Sequence, residues 1–106
     1  MPRFVKRVWI VAANIIVYTT DYCPYCVQAK QLLKRKSAPY TEVNVEQRPE
    51  LRTFLVQASG QRTVPQVFIN GKSIGGFSDM AALEKKGELD RLLREPPPSE
   101  MPTLPT

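Results

Sequence analysis

The 106-residue sequence contains no histidine. That absence removes imidazole as a general base and excludes a Ser-His-Asp or Cys-His catalytic arrangement, His-ligated zinc and His-ligated haem. Cysteine is nearly as scarce, with only Cys23 and Cys26 present. Two thiols are too few for a four-thiolate structural zinc site within one chain, or for a framework of several disulfides. No stretch reaches the roughly 18 apolar residues of a membrane span, so a soluble protein with no membrane partner is expected. The length allows one compact domain, and 42% apolar with 24% charged residues is an ordinary globular balance. Charge is mildly one-sided, at +5. Lys30, Lys34, Arg35 and Lys36 fit a solvated helix face without interleaved aromatics, which argues against a nucleic-acid partner and leaves acidic protein surfaces as a use for that face.

The two ends read differently from the middle. Residues 1–13 form an N-terminal extension in which Arg3, Lys6 and Arg7 precede an apolar run. The run lacks a clear cleavage site, and prolonging it would consume the first strand, so cytoplasmic location is expected rather than secretion. Residues 95–106 hold five of the ten prolines. Proline removes backbone donors and fixes an extended chain, so this segment is expected to be a disordered, solvated tail outside the fold.

Between the ends, over 14–94, the hydrophobic period switches between strand-like and helix-like. Asn14 to Thr19 is short, β-branched and apolar, as in a strand buried on both faces. From Pro24 to about Lys36 the residues Cys26, Ala29 and Leu33 recur at helical spacing, widened by Leu32. Tyr40 to Val45 alternates as a second strand. Pro49 opens a second helix with Leu51, Phe54, Leu55 and Ala58 on one stripe and Gly60 at its stop. Gln66 to Ile69, Asn70-Gly71, then Lys72 to Ile74 reads as a hairpin around a two-residue turn. After Gly75-Gly76, Ser78 or Asp79 can cap a helix running to Lys86, and Gly87 separates a last short helix, Glu88 to Arg94. A right-handed crossover makes the first two strands parallel, and the hairpin adds antiparallel ones. The expected architecture is α/β: a four-stranded mixed sheet flanked by helices, in the order β-α-β-α-β-β-α with a short extra C-terminal helix.

Cys23-Pro24-Tyr25-Cys26 falls where the first strand gives way to the first helix. A thiolate is the nucleophile of disulfide exchange, and unpaired N–H groups with the helix dipole stabilise the anion at a helix start. Cys23, at the N-cap, gains both. Cys26 lies one turn inward on the apolar stripe, where desolvation disfavours its charge. The expected roles are Cys23 attacking and Cys26 resolving, with Pro24 stiffening the first turn. A structural disulfide, a buried apolar pair or half of an intermolecular metal site are the competing readings. A reducing cytoplasm disfavours the first and the strand-to-helix position the second.

Three separated blocks give the sequence its resemblance to the dithiol glutaredoxins of the thioredoxin-fold superfamily: Tyr18 to Cys26 containing C-P-Y-C, Arg62-Thr-Val-Pro-Gln-Val-Phe-Ile69, and Ile74-Gly-Gly-Phe-Ser-Asp79. The resemblance implies a redox-active Cys23–Cys26 disulfide and no metal at the site. It implies a cis Val64-Pro65 bond that turns the backbone of Val64 toward Cys23, beside Thr63, to pair with the cysteinyl part of glutathione as an added strand would. It further assigns the γ-glutamyl end to Gly76, to the N–H groups of Phe77 and Ser78, and to Asp79 facing the ammonium. At the glycyl end the family usually has a lysine three residues before the first cysteine. Thr20 stands there, leaving Tyr25, Arg52 on the second helix, and Arg62.

The implied activity is a glutathione-dependent thiol-disulfide oxidoreductase that reduces protein–glutathione mixed disulfides and protein disulfides, acting as a monomer. Glutathione is the expected co-substrate, with no tightly bound cofactor. Two alternatives differ in partner or class: a glutaredoxin-like electron donor reduced by thioredoxin reductase, and an iron–sulfur carrier in which two chains bridge a cluster.

Overall fold

The computed structural model describes residues 11–106; the cationic part of the N-terminal extension lies outside them. Eight elements follow in order: β1 (Ile15–Thr19), α1 (Pro24–Arg35), β2 (Thr41–Asn44), α2 (Pro49–Ser59), β3 (Gln66–Ile69), β4 (Lys72–Gly75), α3 (Phe77–Lys85) and α4 (Glu88–Arg94). The strands form one mixed sheet in the order β2-β1-β3-β4. β1 runs parallel to β2, with Tyr18 opposite Val43, and antiparallel to β3, with Val17 opposite Val67. Its five residues are all buried, as its β-branched composition requires of a central strand.

Alternation along β1 and β3 divides the core between the two faces of the sheet. Ile15, Val17, Val67 and Ile69 point to one face, where Ala29 and Leu33 of α1, Met80 of α3, and Leu89 and Leu93 of α4 cover them. Ile16, Tyr18 and Phe68 point to the other, where Leu51 and Leu55 of α2 are buried and Phe54 is half-buried. Ala58, expected on the same stripe, is exposed. Among the described residues α2 is thus the single helix contributing to the second cluster, against three on the first.

The chain turns where its residues permit. Gly60 ends α2 at φ 75°, and Asn70-Gly71 joins β3 to β4 with φ 52° and 81°, the paired left-handed conformation of a two-residue hairpin. Asn70 also staples remote segments. It exchanges two 2.8 Å bonds with the backbone of Asn14, and its Nδ2 donates to the carbonyl of Glu95 at 2.9 Å.

One expectation, on the start of α3, is corrected. The cap of α3 is Gly76 rather than Ser78 or Asp79, so the helix starts earlier; Asp79 instead accepts the Gly76 N–H at 2.9 Å from inside the first turn. The proline-rich segment is exposed over 95–100, and its last residues meet the fold. Leu104 packs against the second cluster, and Pro105 accepts a 2.6 Å hydrogen bond from the Tyr18 hydroxyl. The physical reason is the thin cover on that face. One helix leaves apolar surface open, and an extended, proline-rich chain has few N–H groups to satisfy as it lies across it. At the other end Ala12 and Ala13 both donate to the Leu93 carbonyl, tying the start of the described chain to α4.

Candidate active site

The end of β1 delivers the chain to Cys23 through a turn at Asp21-Tyr22. That turn is anchored from the β2 side. Asn44 donates to Asp21 at 2.9 Å, and Glu46 accepts the Asp21 N–H at 3.1 Å. Cys23 is the N-cap of α1, with Pro24 in the first turn. It is half-buried, whereas Cys26 is 2% exposed on the face of α1 that meets the sheet. The two sulfurs are joined in a disulfide. The Cys26 N–H donates to Cys23 Sγ at 3.1 Å, and the Val64 carbonyl oxygen lies 3.8 Å from the same sulfur. An N–H of the first helical turn aimed at Sγ is what a thiolate there would need when the disulfide opens.

Beside Cys23 lies a groove of about 470 Å³. One wall is the segment before β3, with Thr63, Val64 and Pro65; the other is the start of α3, with Gly76, Phe77, Ser78 and Asp79. Tyr25 closes the α1 side, its ring stacked on Phe77 with centroids 6.4 Å apart. The Val64-Pro65 peptide bond is cis. Gly75, at φ 112°, lets β4 turn into α3 hard against the Asp79 carboxylate, where a side chain would collide. The groove therefore offers a backbone edge at Val64, first-turn amides at α3 and one carboxylate, a set suited to an extended peptide carrying both charges.

The structure gathers eight of the expected binding residues around this groove. Arg52 is not one of its walls. Its Nε donates to the Val45 carbonyl at 3.1 Å, and the guanidinium leans toward Glu46 at 4.0 Å. Gln61 does line the groove and was not anticipated. Its place between the Gly60 helix stop and the Arg62-Thr-Val-Pro block was the available signal. Gln61 is set by Gln66, a fully buried side chain whose Nε2 donates at 2.9 Å both to Gln61 Oε1 and to the Thr63 carbonyl.

A family model described as Glutaredoxin matches residues 15–74. The chain belongs to the glutaredoxin family. Glutaredoxins are thiol-disulfide oxidoreductases, and the Cys23–Cys26 pair is the redox-active dithiol of this one. It is 47% identical over 79 residues to the glutaredoxin of Pseudomonas aeruginosa strain PAO1, covering 74% of this chain and 94% of that one. Glutaredoxin 3 of Escherichia coli K12 is 42% identical over 82 residues, or 77% of this chain and 99% of the relative. Among solved structures, the buckwheat glutaredoxin–glutathione complex superposes with a TM-score of 0.73 at 34% identity, over 76% of each chain. The chain thus carries segments beyond the length of these bacterial relatives. Among the described residues no helix is long and apolar enough to cross a membrane, and no cluster of His, Cys, Asp and Glu is arranged to hold a metal ion.

Proposed function

We propose that this glutaredoxin reduces protein–glutathione mixed disulfides by attack of Cys23, with glutathione bound along Val64 and the start of α3. The observation that carries the reading is the half-buried Cys23 sulfur held 3.8 Å from the Val64 carbonyl, at the edge of a groove whose far wall is a helix start. Glutathione is a short extended peptide with two carboxylates and one ammonium. Its cysteinyl backbone fits the exposed edge of Val64 as a strand would, placing its sulfur next to Cys23. The γ-glutamyl carboxylate suits the Phe77 and Ser78 amides, and the ammonium suits Asp79. The likeness to a glutaredoxin solved with glutathione supports the same occupant here. Tyr25 is the wall nearest the glycyl end. Arg52, held by Val45 and Glu46, would serve that carboxylate after releasing one of those contacts.

The cycle balances without a resident cofactor. The Cys23 thiolate attacks the glutathione sulfur of the mixed disulfide, the Cys23–glutathione bond forms, and the protein leaves as a thiolate that takes a proton. A second glutathione thiolate attacks the glutathione sulfur on Cys23, releasing glutathione disulfide and regenerating the Cys23 thiolate. For a protein disulfide, Cys23 first bonds to the target and Cys26 then displaces it, forming the Cys23–Cys26 disulfide that two glutathiones reduce in turn. Both sulfurs and the groove come from one chain, so a monomer is sufficient. Because the cycle consumes reduced glutathione, the cytoplasm is the proposed place of action.

The test is a glutathione-coupled assay, with glutathione reductase and NADPH, on wild type, Cys23→Ser and Cys26→Ser. Cys26→Ser is expected to keep turnover of a glutathionylated protein and to lose most protein-disulfide reduction, while Cys23→Ser loses both. Turnover by Cys23→Ser would refute the assignment. Reduction supported by thioredoxin reductase and not by glutathione would move the protein to another electron source.

A further inference from the structure

The segment that lies beyond α4 crosses the α2 face of the sheet and ends in contact with the cluster that supports the groove. Met101 and Pro102 close over the β3–β4 turn, where a Cβ on Gly71 would stand 3.0 Å from Pro102 Cδ. Leu104 then packs against the second core cluster, and the Pro105 carbonyl accepts the buried Tyr18 hydroxyl at 2.6 Å. Tyr18 is not peripheral to that cluster. Its ring meets Phe68 at 5.5 Å and Phe54 at 5.9 Å, and Phe54 stacks on Phe68 at 5.9 Å. Val64, whose carbonyl faces the Cys23 sulfur, packs against the same cluster. Leu104 and Val64 are therefore two half-buried residues packed against one cluster, with the Tyr18 and Phe68 rings among its members. The family match, over 15–74, stops well short of the segment.

We propose that residues 101–106 are a positioning strap for the groove: by completing the apolar cluster beneath Val64 they hold the Val64 backbone edge where glutathione pairs with it. This rests on the reading of the groove given above. The strap suits the task physically. Its prolines pre-set an extended conformation, so little chain entropy is lost on docking, and the Tyr18 hydroxyl fixes its register. Burial raises the Tyr18 pKa, which keeps that donor protonated. A loosened Val64 edge would weaken binding of the glutathione moiety while the Cys26 N–H that faces the attacking sulfur stays in place, because that donor belongs to α1.

The experiment compares the full chain with a version ending at Ser99, with Tyr18→Phe, which removes one hydroxyl, and with Leu104→Met, which conserves the apolar contact. Two readouts are taken, steady-state kinetics on a glutathionylated protein and the backbone amide resonances of Val64 and Val17 in nuclear magnetic resonance spectra. Truncation is expected to raise KM about five-fold with kcat held within about two-fold. It should shift or broaden the Val64 resonance and leave that of Val17, in the central strand, in place. Tyr18→Phe is expected to show a smaller shift of the same kind, and Leu104→Met to behave as wild type. An unchanged KM in the truncated chain, or a Val17 resonance displaced as far as that of Val64, would overturn the strap. If the full chain showed no glutathione turnover, the functional reading would fail, and the Val64 resonance would still decide whether the strap positions that edge.

Discussion

Glu42 shows how much a single exposed-strand carboxylate can tie together. Its Oε2 accepts from the Thr19 hydroxyl at 2.8 Å and from Lys30 Nζ at 2.9 Å, joining β2 to β1 and to α1. Partial burial pushes its pKa up, but the hydrogen bonds from Lys30 and Thr19 together with nearby positive charge outweigh it and hold the carboxyl below its ordinary 4.5. A depressed carboxylate pKa adds stability that is present above the unfolded value and lost as pH falls through the folded one. Glu42→Gln is therefore expected to flatten the acid side of the stability profile below about pH 5, read as urea midpoint against pH; an unaltered acid limb would contradict it. Gly75 is the opposite case, a residue whose value is what it lacks. At φ 112° and against Asp79, it is expected to cost about 2 kcal/mol when changed to Ala, measured by denaturant unfolding. The glycine pair was legible in the sequence as the break between the hairpin and the third helix. The Glu42 junction was not, because Thr19, Lys30 and Glu42 come from three elements and leave no local pattern.

At the scale of an element, the first turn of α3 does two jobs with one side chain. Asp79 accepts the Gly76 N–H and presents its charge to the groove. The two jobs separate by substitution. Asp79→Asn can still accept the Gly76 bond but carries no charge, so it is expected to raise KM for glutathione with little change in melting temperature. Asp79→Ala is expected to raise KM and also to lose about 1 kcal/mol of stability. Equal effects of both on melting would show that the charge, not the bond, supports the helix. The helices themselves were largely legible, since α1 buries Cys26, Ala29, Leu32 and Leu33 at the spacing read from sequence. Ala58 broke the pattern on α2, where its expected place on the stripe turned out exposed. Groove residues in the three motif blocks were legible for the same reason the turns were, each being a short run with a distinctive backbone requirement. Gln61 escaped because its role comes from Gln66, five residues away on another element.

Over the whole molecule the sheet is covered unevenly, by α1, α3 and α4 on one side and by α2 with the C-terminal segment on the other. Composition does not foretell the contacts of the last residues. Proline density signals a solvated chain, and a contact made by one leucine and one carbonyl has no periodicity to read. The burial of Tyr18 gives this thinner side an alkaline signature. Its pKa is raised by desolvation above the ordinary 10.0, so the folded state favours the protonated phenol. Stability from that source is complete below pH 10 and declines as pH rises beyond it. Tyr18→Phe is expected to remove that part of the alkaline decline, seen by following unfolding between about pH 9 and 11, and an identical slope would refute the attribution. Asn70, the residue that staples the start of β1 and the end of α4, carries a consequence of a different order. Asparagine before glycine is the sequence most prone to spontaneous loss of its side-chain ammonia, and this one spends both ends of its amide on backbone partners. The protein's ageing is thereby coupled to its architecture: conversion to aspartate would set a carboxylate against the Glu95 carbonyl it now donates to, and the clasp would turn into a repulsion.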